Sequence, residues 1–330
     1  MLKVCFIGSS GHYRYALDGF RFIPDASAVA VAPGCEGEDV DAAIARISNA
    51  GQSPRKYEDY REMLDREKPD VAVINTYFAF NAGIAVEALE RGINVFVEKP
   101  VGTTFEDLER VRTALAASGK KLAAMLGLRY APHFYTAWKA VREGAVGEVR
   151  LMTAQKSYRL GERGPNYRKR EIYGGTIPWV GSHAIDWLYW FGNKRFKSVM
   201  ASHSRCCNRG HGDLEMTAIC HFIFEDEVIG AVNIDYLRPS TAPSHDDDRA
   251  RIAGTSGVIE VRTNKVYLIG EQRSGVQELA VDNPGSIFAD FVAEIRGEGK
   301  CLVSAEDSLY VTEACLRARE SADTGRLVTF

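Results

Sequence analysis

The 330-residue sequence is short of long apolar runs. No stretch approaches the ~20 uninterrupted apolar residues of a membrane span, so no membrane association is expected. The apolar run of the opening "MLKVCFIGSS" is too short for a signal-peptide core and reads as a strand. Charge of one sign is also lacking. Lys and Arg number 41 against 44 Asp and Glu, a net charge of −3 with a pI of about 6.2. That removes the electrostatic case for binding nucleic acid or an anionic membrane. The seven cysteines are scattered and odd in number, which points to reduced thiols and a cytoplasmic location. "HSRCCNRGH" (203–211) holds two His and two Cys, but its spacing matches no zinc finger. Adjacent cysteines rarely both ligate one tetrahedral ion, so no metal is expected. "SHDDD" (244–248) reads as a solvated loop. Internal repeats and low-complexity segments are absent.

What remains is ordinary globular composition, 45% hydrophobic and 26% charged, in a chain long enough for two domains. Apolar strands are expected at "LKVCFI" (2–7), "SAVAVA" (27–32), "DVAVINT" (70–76), "NVFVE" (94–98) and "KLAAMLG" (121–127). Helical patterns lie between them, through about residue 22 and at 57–68, 81–91 and 105–118. Strands alternating with amphipathic helices make βαβ units and a parallel sheet covered on both faces. After a helix at 133–143 the pattern becomes long alternating runs at 148–158, 198–205, 214–236, 250–262 and 265–269, joined by hairpin-like turns at Glu225–Glu227 and Gly254–Gly257. The expected architecture is α/β: a Rossmann-type doubly wound domain over 1–125, then an α+β domain over 126–330. The second domain carries a large, mainly antiparallel open sheet and a closing helix at about 306–323.

"IGSSGHY" stands at the first strand–helix junction, where a dinucleotide fold carries G-x-G-x-x-G. The aligned positions are Gly8, Ser10 and Tyr13, with an extra Gly11. Ser10 can still expose backbone N–H groups and add a hydroxyl. The acidic residue expected at the end of the second strand is replaced by Ala32-Pro33-Gly34. Glu36, Glu38 or Asp39 can reach a ribose from the following loop, and their charge disfavours NADP.

Two further segments carry chemistry. "VFVEKP" (95–100) ends a buried-type strand in Glu98, Lys99 and Pro100. Ligands of doubly wound folds bind at that strand edge. "YGGTIPWVGSHAIDWLYWF" (173–191) sets paired glycines before Gly181, His183 and Asp186. His183 and Asp186 are three apart on one helix face, and His titrates near neutrality.

Together these segments resemble the glucose–fructose oxidoreductase, inositol dehydrogenase and rhizopine-catabolism (Gfo/Idh/MocA) family. The resemblance rests on "ALERGINVFVEKPVGTTFEDLERV", "GGTIPWVGSHAID" and "SAEDSLYVTEACLRARESADTGRLV", in the same order along nearly the whole chain. It implies an NAD- or NADP-dependent oxidoreductase, NAD favoured, acting on a sugar, cyclitol or sugar acid. Lys99 and His183 would be the catalytic pair. Gly8, Ser9, Ser10, Gly11, His12, Tyr13, Thr76, Tyr77, Asn81, Glu98 and Lys99 would face the cofactor. Glu98 and Pro100 would hold the turn, Pro100 often through a cis peptide in this family. Departures from the pattern stand at Ser10, Tyr13, Tyr77 and Asn81, and at Trp179, where the family commonly has an Asp four residues before the His.

"YRLGERGPNYRKREIYGG" (158–175) interleaves Arg159, Arg163, Arg168, Lys169 and Arg170 with Tyr158, Tyr167 and Tyr173. Arg forks suit carboxylates and tyrosines stack on sugar faces. We therefore expect Lys99, Tyr158, Arg159, Tyr167, Arg168, Trp179 and His183 to meet substrate, with an anionic sugar such as a uronate preferred. Asp235 and Tyr236, which end a strand of the open sheet, are weaker candidates for the same cleft. Two rival readings share the fold: a redox-neutral lyase or epimerase that keeps NAD bound, and a non-catalytic ligand-binding protein. The open sheet is expected to bury its outer face in a homodimer or homotetramer.

Overall fold

Residues 71–74 and 95–97 are buried at every position, which is why both read as unbroken apolar runs rather than alternating ones. In the computed structural model, which describes residues 1–271 and 273–330, they are the fourth and fifth strands of a six-stranded parallel sheet. The strands are β1 (Leu2–Ile7), β2 (Ala26–Ala32), β3 (Arg55–Lys56), β4 (Val71–Ile74), β5 (Asn94–Val97) and β6 (Leu122–Ala124). Their order is β3-β2-β1-β4-β5-β6, so the winding reverses between β1 and β4 and opens a crevice at the strands' carboxyl ends. Helices α1 (Arg14–Gly19), α2 (Asp41–Asn49), α3 (Tyr60–Glu67), α4 (Phe78–Glu90) and α5 (Phe105–Ser118) make the crossovers. Asp59 and Thr104 cap α3 and α5 by accepting from the N–H of Arg61 and Asp107.

The second sheet has nine strands: β7 (Val149–Arg159), β8 (Phe196–Ser204), β9 (Thr217–Phe224), β10 (Ile229–Arg238), β11 (Asp246–Gly254), β12 (Gly257–Arg262), β13 (Lys265–Gly270), β14 (Arg273–Leu279) and β15 (Val328–Thr329). The order is β14-β13-β12-β11-β7-β10-β9-β8-β15. Every neighbouring pair is antiparallel except β7 with β10, which run parallel. The hairpin turns expected after β9 and after β11 are both present. Along β9 and β10 one face is buried through Cys220, Phe222, Phe224, Val232, Ile234 and Tyr236. The opposite face leaves Leu151, Met200, Ile219, Ile229 and Leu237 exposed. The helices of this part are α6 (Pro132–Arg142), α7 (Arg170–Tyr173) and α8 (Ser182–Gly192). Two more, α9 (Ile287–Arg296) and α10 (Ala305–Thr324), complete the chain.

The chain divides into Met1–Gly127 with Gly285–Thr312, and Leu128–Pro284 with Glu313–Phe330. Residues 285–312, which we assigned by sequence to the second domain, thus join the first. The cause is aromatic: Phe288 and Phe291 of α9 lie 5.2 and 5.5 Å from the Phe96 ring of β5, and Phe288 also meets Phe20 at 5.7 Å. Burying one such ring contributes about 1.5–3 kcal/mol. Among the described residues, no helix is long and apolar enough to cross a membrane.

Candidate active site

In the first unit, β1 ends at Gly8, with a φ of +84° and the Asn75 carbonyl standing where a Cβ would project. Only glycine fits there. The carboxyl ends of β1, β2 and β4 are then tied together. Gly8 N–H donates to Ala32 O at 2.8 Å, Asn75 N–H to Ile7 O at 2.7 Å, and Ser10 N–H to Asn75 O at 2.7 Å. Glu38 completes the knot by accepting from Ser9 N–H (3.1 Å), Gly34 N–H (2.9 Å) and the Thr76 hydroxyl (2.8 Å). Burial pushes the Glu38 pKa up, against the pull of these hydrogen bonds.

The N–H groups of Gly11 and Tyr13 have no acceptor among the described residues. Beside the end of β2 lies a hollow of about 430 Å³ lined by Pro33, Gly34, Glu36, Glu38, Asp59 and Tyr60, among others. These features fit a dinucleotide: open backbone donors for a pyrophosphate, and a hollow for the adenosine whose acidic lining opposes a 2′-phosphate. Arg61, a basic residue of that lining, is already paired with Glu87 at 2.7 Å.

At the end of β5, Glu98 is fully buried. Its carboxylate accepts from His12 N–H, from Lys99 N–H at 3.1 Å, and lies 2.9 Å from His12 Nδ1. Burial opposes its charge, but His12 and Lys99 outweigh it and hold the carboxyl below its ordinary pKa. Asn81 donates its side-chain amide to Glu98 O (3.1 Å) and Pro100 O (3.3 Å). Lys99 is only 4% exposed and its bond to Pro100 is cis.

In the second unit, Gly174 and Gly175 take φ of +81° and +105°, a turn that favours glycine. Glu215, buried, braces the segment that follows. It accepts from Thr176 N–H at 2.9 Å, Arg170 Nη1 at 2.6 Å and the Tyr173 hydroxyl. Arg319 Nη1 donates to Gly174 O at 2.6 Å. A π-helical turn, Ile177–Gly181, leads into α8. At Gly181 a Cβ would overlap Ile234 of β10, so glycine lets the helix settle on the sheet. His183 follows in the first turn of α8, 2% exposed. Asp186 is held by Arg129 through Nε (3.0 Å to Oδ2) and Nη2 (2.6 Å to Oδ1), both residues being buried.

One turn before His183, Trp179 stacks on Tyr167 at 4.7 Å and tilts against Tyr236 at 6.0 Å. The Arg163 guanidinium lies 5.2 Å from both the Trp179 and the Tyr236 rings. Beneath Tyr158, Lys156 is buried and donates to Asp248. Burial pushes the Asp248 carboxyl up in pKa while Lys156 pulls it down.

Comparison with known proteins agrees with both halves of this geometry. The model described as "Oxidoreductase family, NAD-binding Rossmann fold" matches residues 19–126, and the GFO/IDH/MocA C-terminal domain model matches residues 134–260. A structure of a putative oxidoreductase from Thermotoga maritima is 53% identical, with a TM-score of 0.96 over 100% of both chains. The chain belongs to the GFO/IDH/MocA oxidoreductase family. Its first unit is the family's NAD-binding Rossmann domain. Inositol 2-dehydrogenase of Salmonella typhimurium is 27% identical over 146 residues, 44% of this chain and 42% of that protein. The chain thus matches less than half the length of that curated relative. A levoglucosan dehydrogenase in complex with NADH and levoglucosan shares the fold, at 19% identity, with a TM-score of 0.84 over 99% of both chains.

Among the family's signature positions, Gly8, Ser9, Ser10, Gly11, His12, Tyr13, Thr76, Tyr77, Glu98 and Lys99 cluster at the carboxyl ends of β1, β4 and β5. The side chains of Asn81, Thr76 and Glu98 are bound to other protein groups. Tyr158, Arg159, Tyr167, Arg168, Trp179 and His183 all belong to the second unit. Sequence reading did not find Arg129, Glu215, Lys156 or Asp248 as a polar framework. Asp248 stands in the stretch we read as a solvated loop, but it belongs to β11 and pairs with buried Lys156; for all four, only the fold supplies the partner.

Proposed function

We propose that the protein is an NAD-dependent dehydrogenase or reductase acting on a CH–OH carbon of a sugar, cyclitol or sugar acid. NAD⁺, when bound, supplies the hydride acceptor. Lys99 hydrogen-bonds the reacting hydroxyl and stabilises negative charge on its oxygen. His183 takes the hydroxyl proton as the carbon gives up its hydride, and returns it in the reverse direction. Asn81 and Glu98 hold the Lys99 backbone from either side, Asn81 at the flanking carbonyls and Glu98 at the amide. The Arg129–Asp186 pair and the Glu215 brace orient the helical run that carries His183.

The observation that carries the reading is Lys99, a buried lysine on the catalytic edge of an NAD-binding sheet. Titration of the purified protein with NADH and NADPH tests it. Binding of NADH, tighter than of NADPH, is expected. No binding of either nucleotide would favour a non-catalytic ligand-binding protein instead.

A further inference from the structure

Of the five basic residues between 158 and 175, some are already committed. Arg170 is bound to Glu215 and Asp323, and Arg168 is exposed with its Nε donating to Arg163 O at 2.9 Å. Arg159 and Arg163 differ. Neither has a carboxylate partner among the described residues, and the Nε of each is buried without an acceptor. Arg163 Nη2 reaches the Arg159 backbone carbonyl, at 3.3 Å.

Beside them the Tyr236 hydroxyl is buried and unpartnered, on a residue 2% exposed. A buried phenol ordinarily finds a hydrogen-bond partner. The carboxylates around this cluster are already taken: Asp248 by Lys156, Glu215 by Arg170, and Asp247 by Arg238 and Arg249. Asp246 is exposed to solvent. The Arg163 guanidinium, with no carboxylate partner among the described residues, therefore sits against Trp179 and Tyr236 with donors unspent. An oxyanion answers all of these needs at once, since it neutralises the charge and accepts from guanidinium forks and a phenol.

We propose that Arg163 and the Tyr236 hydroxyl form an anion subsite for the carboxylate of a sugar-acid substrate. The assignment rests on the proposed oxidoreductase reading for its substrate class. It also gives Trp179 a role. Where the family commonly has an Asp, which would repel a substrate carboxylate, this chain presents an aromatic face that holds Arg163.

The test compares a uronate, its neutral parent hexose and the corresponding hexose 6-phosphate on wild-type protein and on Arg163→Gln, Arg163→Lys and Tyr236→Phe. KM is measured by turnover with NAD⁺, and binding by calorimetry on the NADH-saturated protein. The uronate is expected to have the lowest KM. Arg163→Gln is expected to raise that KM roughly 10- to 100-fold more than the KM for the hexose. Arg163→Lys should restore part of the difference, and Tyr236→Phe should lose a smaller part. Preference for the phosphate ester over the uronate would overturn the carboxylate assignment. Equal handling of hexose and uronate would overturn the subsite altogether. If no sugar turns over, the oxidoreductase reading fails separately. Calorimetry then decides the subsite: uronate binding that is lost in Arg163→Gln supports it, and absent or unaltered binding overturns it.

Discussion

Arg129 grips Asp186 along two edges of its guanidinium, with both side chains almost wholly buried and the Trp190 ring 5.4 Å from the guanidinium carbon. The pair joins the 3₁₀ turn at 127–130 to the middle of α8, three residues beyond His183. Removing one partner strands the other charge in the interior. Arg129→Met is therefore expected to cost about 3–5 kcal/mol of unfolding free energy. The double variant Arg129→Met with Asp186→Leu should recover most of it. Urea unfolding of the three proteins measures this, and a single variant as stable as wild type would refute it.

Glu98 gives a pH dependence of known sign. Its folded-state pKa is lowered from 4.5, so the unfolded chain binds a proton more readily than the folded one. The carboxylate then contributes stability that is complete above about pH 4.5 and is lost as pH falls through the lower folded value. Glu98→Gln should unfold with a shallower loss of stability between pH 5 and pH 3 than wild type, read from urea unfolding across that range. Parallel stability curves for the two proteins would contradict the sign.

The exposed face of the second sheet brings Leu151 and Ile229 together as paired residues of β7 and β10, with Ile219, Met200 and Leu237 also exposed. Five exposed large apolar residues on one sheet face point to a covering partner. Sedimentation at micromolar concentration is expected to show a dimer or tetramer, and Ile229→Asp with Leu151→Asp to shift it toward monomer. A wild-type monomer would dispose of this expectation.

Much of the fold is legible in the sequence because burial writes itself as pattern. β4 is apolar throughout, β5 is so after Asn94, and β9 and β10 alternate, so each reveals both its existence and its sheet type. The segments that escape are those whose structure depends on distant partners. α2 buries little beyond Ala43 and Ile47, and β3 is a two-residue edge strand with both residues exposed. β14 and β15 lie at the margins of their sheet, and β10's parallel pairing with β7 has no local signal. α9 belongs to the first unit only because Phe288 and Phe291 find Phe96, some 190 residues earlier.

The site divides the same way. Lys99 and His183 stand in recognisable local motifs, and Gly8 and Gly181 announce close backbone approach. Glu38 was one of three acids able to reach a ribose, and the structure shows its carboxylate engaged by Ser9, Gly34 and Thr76. Asn81 in the family's His position is not a vacancy but a clamp on the Glu98 and Pro100 carbonyls.

The redox-neutral reading is separated from net oxidation by the fate of the coenzyme. A lyase or epimerase regenerates NAD⁺ in each cycle, whereas a dehydrogenase accumulates NADH in proportion to the ketone formed. Product analysis by NMR alongside nucleotide absorbance is expected to show one equivalent of each. Product without NADH would assign the chain to the redox-neutral class.

Lys99, in the proposed reaction, serves hydride transfer from a substrate carbinol to NAD⁺. The most direct measurement is NADH formation from NAD⁺ across a panel of sugars, cyclitols and sugar acids, in wild type and Lys99→Ala, with NADH affinity and thermal unfolding measured beside it. We predict that wild type forms NADH, and that Lys99→Ala loses roughly 10²- to 10⁴-fold in kcat while binding NADH and unfolding much as wild type does. Turnover unchanged by Lys99→Ala would remove Lys99 from the chemistry.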